Sequence, residues 1–232
     1  MTAILSNLQA VRRAVTEASV AAGRRSDAVH LLAVSKTFPA VSVREAYQAG
    51  QTAFGENYLQ EALDKIETLR DLPLEWHFIG PIQSNKTRPI AEHFDWVHSV
   101  DRLKIAERLS AQRPESMLPL NICLQVNVSG EESKSGVTPQ DVMQLAREVA
   151  QLPRLQLRGL MAIPAPADDP VLQRAPFVQM HALLETLNAQ GMQLDTLSMG
   201  MSHDFAVAIQ EGATIVRVGT AIFGNRNYGG EL

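Results

Sequence analysis

The chain has 232 residues, 45% hydrophobic and 20% charged, enough for one large barrel or two small domains. Its formal net charge of -4 sets up no global basic field, which excludes nucleic acid as the expected partner. The single cysteine, Cys123, excludes an intrachain disulfide, and no apolar run approaches the ~20 residues that span a membrane. The opening MTAILSNLQAVRRAV carries no apolar signal-peptide core, so the expected setting is the cytoplasm, away from membranes.

Leu5, Leu8, Val11 and Val15 recur at steps of three and four, which predicts a leading helix that ends near Gly23. VHLLAVSK, residues 29–36, reads as a short buried strand whose chemistry changes at Ser35 and Lys36. Pro39 then opens a helical stretch closed by Gly50. The pattern repeats. Strands are expected at 52–57, 75–80, 96–101, 120–129, 155–164, 196–201 and 214–223, each followed by a helical segment or, last, by a Gly-rich tail. The strands are apolar on both faces, as required between covering helices and a packed interior. An open doubly wound sheet also alternates in this way, but eight units favour a single (β/α)8 barrel domain over residues 1–232.

Active sites of such barrels lie at the C-terminal ends of the strands. Here that rim carries Lys36, Asn57, Asp101, Asn127, Ser129, Ser202 and Thr220. A lysine that ends a buried strand loses solvation, which disfavours its charged form and leaves a nucleophilic amine able to form an imine with an aldehyde. The alternative is an ammonium that snorkels out of the rim. In MGMSHDFAVAI, Ser202 is placed to cap a helix whose free N–H groups suit a phosphate; a cap alone is the plainer reading. RVGTAIFG adds Gly219 and Thr220 at the end of the eighth strand, and barrels often hold phosphate between the loops after strands seven and eight. Arg217 lies inside an apolar strand and needs an acceptor, either a carboxylate such as Glu56 or the nitrogen of a pyridine ring. Amine, phosphate site and guanidinium together match the aldehyde, phosphate and ring nitrogen of pyridoxal 5′-phosphate.

His77 either lines that cavity or is a satisfied core histidine. His77, His93, His98 and Cys123 lack the spacing of a zinc site, so no metal is expected. Cys123 reads as inert packing and Lys134 as a solvated loop residue.

LLAVSKT, FGENYLQEALDKIE, WHFIGPIQSNK, LRGLMAIPAP, LSMGMS and VRVGTAIFG occur in this order between about residues 5 and 228. Together they resemble the pyridoxal phosphate homeostasis protein family, of the alanine racemase N-terminal-domain type. The resemblance implies Lys36 as the Schiff-base lysine, phosphate contacts from Ser202, Gly219 and Thr220, and Arg217 at the pyridine nitrogen. It also implies Asn57 beside the cofactor. His203 departs from the acidic residue expected in many members. Lys134 matches a family loop lysine without an assigned role.

Two functions of different class follow. One is a non-enzymatic carrier that buffers pyridoxal phosphate, delivers it to apo-enzymes and influences amino-acid and keto-acid balance. The other is an amino-acid racemase, but racemases of similar fold carry a second, β-rich domain with a catalytic tyrosine. Here the barrel uses up the chain, and only Tyr47, Tyr58 and Tyr228 exist. A Schiff-base aldolase acting through Lys36 without a cofactor is a third possibility. The expectation is a monomeric carrier without catalytic turnover.

Overall fold

The computed structural model describes residues 2–130 and 135–225. Eight parallel strands close on themselves in sequence order, and β1 pairs with β8 from His30↔Ile215 to Ala33↔Val218. They are β1 (His30–Val34), β2 (Ala53–Glu56), β3 (Glu75–Phe78), β4 (Trp96–Val100), β5 (Leu120–Gln125), β6 (Leu155–Met161), β7 (Thr196–Ser198) and β8 (Ile215–Val218). The leading helix is α1 (Ala3–Ala21), and a helix follows every strand: α2 (Ala40–Gln48), α3 (Leu59–Thr68), α4 (Thr87–His93), α5 (Leu103–Gln112), α6 (Val142–Val149), α7 (Pro170–Ala189), α8 (Phe205–Gln210) and α9 (Thr220–Phe223). The expected (β/α)8 barrel with its leading helix is the fold found.

Strand alternation sorts the apolar residues into two layers. Outward residues such as Ala33, Phe78, Val97 and Val216 join the helices in the main core. Inward residues, among them Leu32, Val34, Trp96, Met161 and Ile215, form a smaller cluster inside the barrel. Burial on both faces puts apolar residues at successive strand positions in place of a simple alternation, with polar exceptions such as His77, His98 and Arg217.

Helix α1 buries Leu8, Val11 and Val15 and packs against α2, α8 and α9. The Asn7 side-chain amide donates to the Ile222 carbonyl, and Arg12 donates to the carbonyls of Ala49 and Gly50. The leading helix thus ties the last unit of the chain to the first across the β1–β8 closure.

Several strands are shorter than the sequence predicts. β5 stops at Gln125 and β6 at Met161, where expectation carried them to 129 and 164. The largest difference is at β8, expected to run to Phe223. Its pairing with β1 ends at Val218, the backbone turns at Gly219, and Ile222 and Phe223 donate their N–H groups to the Gly219 carbonyl. TAIF is therefore a short helix, so Thr220 starts a turn instead of continuing a strand.

Candidate functional site

The C-terminal strand ends converge on a cavity of about 220 Å³ lined by Lys36, Asn57, Ser202, Arg217, Gly219 and Thr220. Six of the seven residues expected at the site are thus together. Phe38, Ile79, Ile163 and Met201 add apolar wall, and His203 completes the rim.

Lys36 follows β1 by two residues, and the alternation that turns Leu32 and Val34 inward carries Lys36 to the same side. Its neighbour Ser35 faces the opposite way. The Ser35 hydroxyl donates to Glu56 Oε1 (2.6 Å), which also accepts from Lys65 Nζ (2.7 Å); Lys65 donates again to the Ser35 carbonyl. After Lys36 the chain turns sharply. Thr37 has φ +68°, rare for a β-branched residue, and its N–H is held by the Glu61 carboxylate at 2.6 Å. Lys36 is therefore pinned on both sides.

Asn57 stands at the end of β2, with Oδ1 buried and without a partner among the described residues. Gly80 makes room for it: a Cβ there would lie 2.2 Å from the Asn57 carbonyl oxygen. A buried orphan acceptor is costly unless a ligand or water supplies a donor.

Arg217 enters the cavity from below. Its guanidinium donates through one terminal nitrogen to the Ser198 carbonyl (2.6 Å) and hydroxyl (2.8 Å), and through the other to the Ala162 carbonyl (2.9 Å). Glu56, the carboxylate considered as its structural partner, instead serves Lys65 and Ser35. Burial pulls the Arg217 guanidinium down to about 10, partly opposed by Asp204, so it stays a cation at neutral pH. N–H groups remain over for a ligand.

The rest of the wall comes from the segments that follow β7 and β8. Gly200 takes φ +93°, and a Cβ there would meet the Ala208 methyl at 2.6 Å, so only glycine lets this loop press against α8. Asp204, rather than Ser202, holds the cap position of α8, and its carboxylate accepts the Met201 N–H at 2.6 Å. The expectation that Ser202 caps this helix is corrected, and the residue stands instead in the cavity wall beside Gly219 and Thr220.

His77 is the expected site residue that lies elsewhere. Its ring is inside the barrel, stacked on Trp96 at 5.4 Å and hydrogen-bonded to Glu75 and His98. It borders a larger cavity, about 740 Å³, at the opposite mouth with His30, Trp96, Arg158 and Asp195. Size does not decide between the two cavities; only the smaller gathers an amine, hydroxyls and an inward guanidinium. Of the other rim residues, Asp101 pairs with Arg102, and Ser129 accepts the Ala165 N–H. Asn127 lines an adjoining hollow with Asn57. Lys134 and Tyr228 lie outside the described residues. Phe38, Ile79 and Met201 went unnoticed in the sequence because apolar cavity wall reads like core.

Among the described residues, no group of three or more His, Cys, Asp or Glu side chains is arranged to hold a metal ion. No helix is long and apolar enough to cross a membrane. Cys123 is buried inside the barrel, where desolvation pushes its thiol up to about 12 and keeps it unreactive.

The family described as alanine racemase, N-terminal domain, matches residues 2–227. A pyridoxal phosphate homeostasis protein of Pseudomonas aeruginosa is 63% identical over 229 residues, which cover 99% of this chain and 98% of that one. The chain belongs to the pyridoxal phosphate homeostasis protein family. A relative of the same name from Escherichia coli is 52% identical over 231 residues, covering 98% and 99% of the two chains. Among solved structures, PipY of Synechococcus elongatus with pyridoxal phosphate bound is 40% identical with a TM-score of 0.83. That match covers 95% of this chain and all of the other. An alanine racemase from Corynebacterium glutamicum shares the fold at 19% identity and a TM-score of 0.70; the match takes in 99% of this family member but 63% of the racemase.

Proposed function

We propose that this chain binds pyridoxal 5′-phosphate through Lys36 and acts in the cytoplasm as a monomeric carrier that buffers the cofactor and passes it to apo-enzymes. The observation that carries this reading is the convergence of Lys36, Arg217 and the Ser202, Gly219 and Thr220 wall on one cavity. The residues fit the group. Lys36 supplies the amine for an aldehyde, and Asn57 Oδ1 offers an acceptor that is otherwise orphaned. Ser202 and Thr220 offer hydroxyl donors to an anion, and Gly219 keeps the backbone there open; a Cβ would come within 3.0 Å of the Val34 carbonyl.

When bound, the cofactor supplies an electrophilic aldehyde and an electron-accepting ring. Arg217 limits the second property. A guanidinium is a donor without acceptor capacity, so beside a bound ring nitrogen it would leave that nitrogen without a proton and favour holding over carbanion chemistry. Phe38, Ile79 and Met201 line the cavity and would exclude water from a bound ring.

Borohydride reduction of cofactor-saturated protein followed by peptide mapping tests the attachment. A pyridoxyl adduct on Lys36 is expected. Reduced protein that carries its adduct elsewhere, or none, overturns the reading.

A further inference from the structure

The barrel interior contains a line of polar side chains that the cofactor pocket does not account for. Glu75 Oε1 meets His77 Nε2 at 2.7 Å, and His77 Nδ1 meets His98 Nε2 at 2.8 Å. His98 Nδ1 meets the Ser198 hydroxyl at 2.8 Å, and that hydroxyl accepts from Arg217 at 2.8 Å. The line runs from the opposite mouth of the barrel, where Glu75 is half exposed, to the cofactor cavity. His77, His98, Ser198 and Arg217 are buried, and their surroundings include Val34, Trp96, Met161 and Ile215. In such a medium an unmatched polar atom is expensive, so the donors and acceptors must balance.

One assignment balances them. Arg217 only donates, and the Glu75 carboxylate only accepts. Ser198 accepts from Arg217 and gives its single O–H to His98 Nδ1. His98 then carries its proton on Nε2 and donates to His77 Nδ1, and His77 donates from Nε2 to Glu75. Burial keeps the His98 ring neutral by holding it well below its ordinary range, and the His77 N–H keeps the Glu75 carboxyl low. A doubly protonated His77 would force His98 to donate to Ser198, whose O–H would then lack an acceptor among the described residues. Every bond therefore points the same way, from cation to anion.

We propose that Glu75, His77, His98 and Ser198 are positioning residues for the cofactor site, a directional hydrogen-bond chain that fixes the Arg217 guanidinium from the far mouth of the barrel. The proposal rests on the reading that this cavity holds pyridoxal phosphate.

The chain itself is tested in cofactor-free protein by nitrogen-labelled histidine nuclear magnetic resonance. His77 and His98 are both expected with the proton on Nε2 and a bare Nδ1; a proton on His98 Nδ1 overturns the proposal. The effect on the site is tested by titrating pyridoxal phosphate and recording the absorption of the bound cofactor. Ser198→Ala is expected to weaken binding roughly tenfold and shift the absorption band, as the loss of a charge-linked bond implies. Glu75→Ala, at the half-exposed rim, is expected to shift both in the same direction by less, and to release the single tautomer. Glu75→Gln keeps an acceptor oxygen and is expected to restore the tautomer, which a purely steric role would not require. Wild-type affinity and absorption in both Ser198→Ala and Glu75→Ala refute the proposal. Failure of the wild-type protein to bind pyridoxal phosphate refutes the cofactor reading instead.

Discussion

Ser202, in the loop after β7, and Thr220, at the start of α9, face one cavity, so their contributions can be removed one at a time. Ser202→Ala and Thr220→Val are each expected to weaken cofactor binding by about 1.5–3 kcal/mol, the worth of a hydrogen bond to a charged group. Equilibrium titration measures this, with circular dichroism to show that the barrel persists. Unchanged affinity in both variants places the anion elsewhere. At this scale the sequence was informative wherever a residue broke its strand's chemistry. Lys36 at a buried strand end and Arg217 within an apolar strand are such breaks, and both line the cavity. His77 is equally exceptional in an apolar strand, yet it belongs to the interior chain. Alternation says which side of the sheet a residue faces, but not how far along the barrel axis its side chain sits.

The corner formed by the end of β1, the end of β2 and helix α3 is held by a buried ion pair. Lys65 Nζ reaches Glu56 and Glu61 and the Ser35 carbonyl, and this web fixes the backbone that presents Lys36. Removal of one partner leaves a buried charge alone, so Lys65→Met is expected to destabilise the protein by roughly 3–5 kcal/mol at neutral pH. Burial already pushes the Glu56 carboxyl up, against the pull of Lys65. A carboxyl raised in the folded state is favourable below its unfolded range and costs stability as pH rises through the folded value. The Lys65→Met deficit should therefore shrink as pH falls toward the carboxylate range. Urea denaturation at several pH values measures it, and a deficit independent of pH contradicts an uncompensated Glu56. This pairing was illegible in the sequence because Lys65 lies in DKIETLR, which reads as a solvated helix face. The strand ends were misjudged for a related reason. An apolar run as short as TAIF has the same composition in a strand or a helix, and only the loss of a pairing neighbour after Val218 decides.

For the molecule as a whole, eight strand–helix units were enough to give the barrel, because short connections and doubly buried strands leave few alternatives. The same architecture bears on catalysis. Racemisation needs a proton-transfer group on each face of the substrate carbon. On the proposed reading Lys36 would serve one face. His77 is at the wrong mouth, and His203 is the imidazole that the described residues place at the cavity rim. We predict no enzyme-like entry of deuterium at Cα when saturated protein meets L-amino acids in deuterated water. Rapid exchange that vanishes in His203→Ala would replace the carrier with an active enzyme. A different consequence follows from the seam between β1 and β8. Lys36 lies just past the end of β1, Arg217 lies in β8 with Gly219 just past its end, and α1 clasps the two units. On the ribosome the Lys36 amine emerges well before Arg217 and Gly219 are translated. A nascent chain halted before Thr214 has no β8 to complete the cavity. A ligand that needs both sides of this seam is captured only after β8 has been made, and mass action then favours the closed barrel over any form with the seam open.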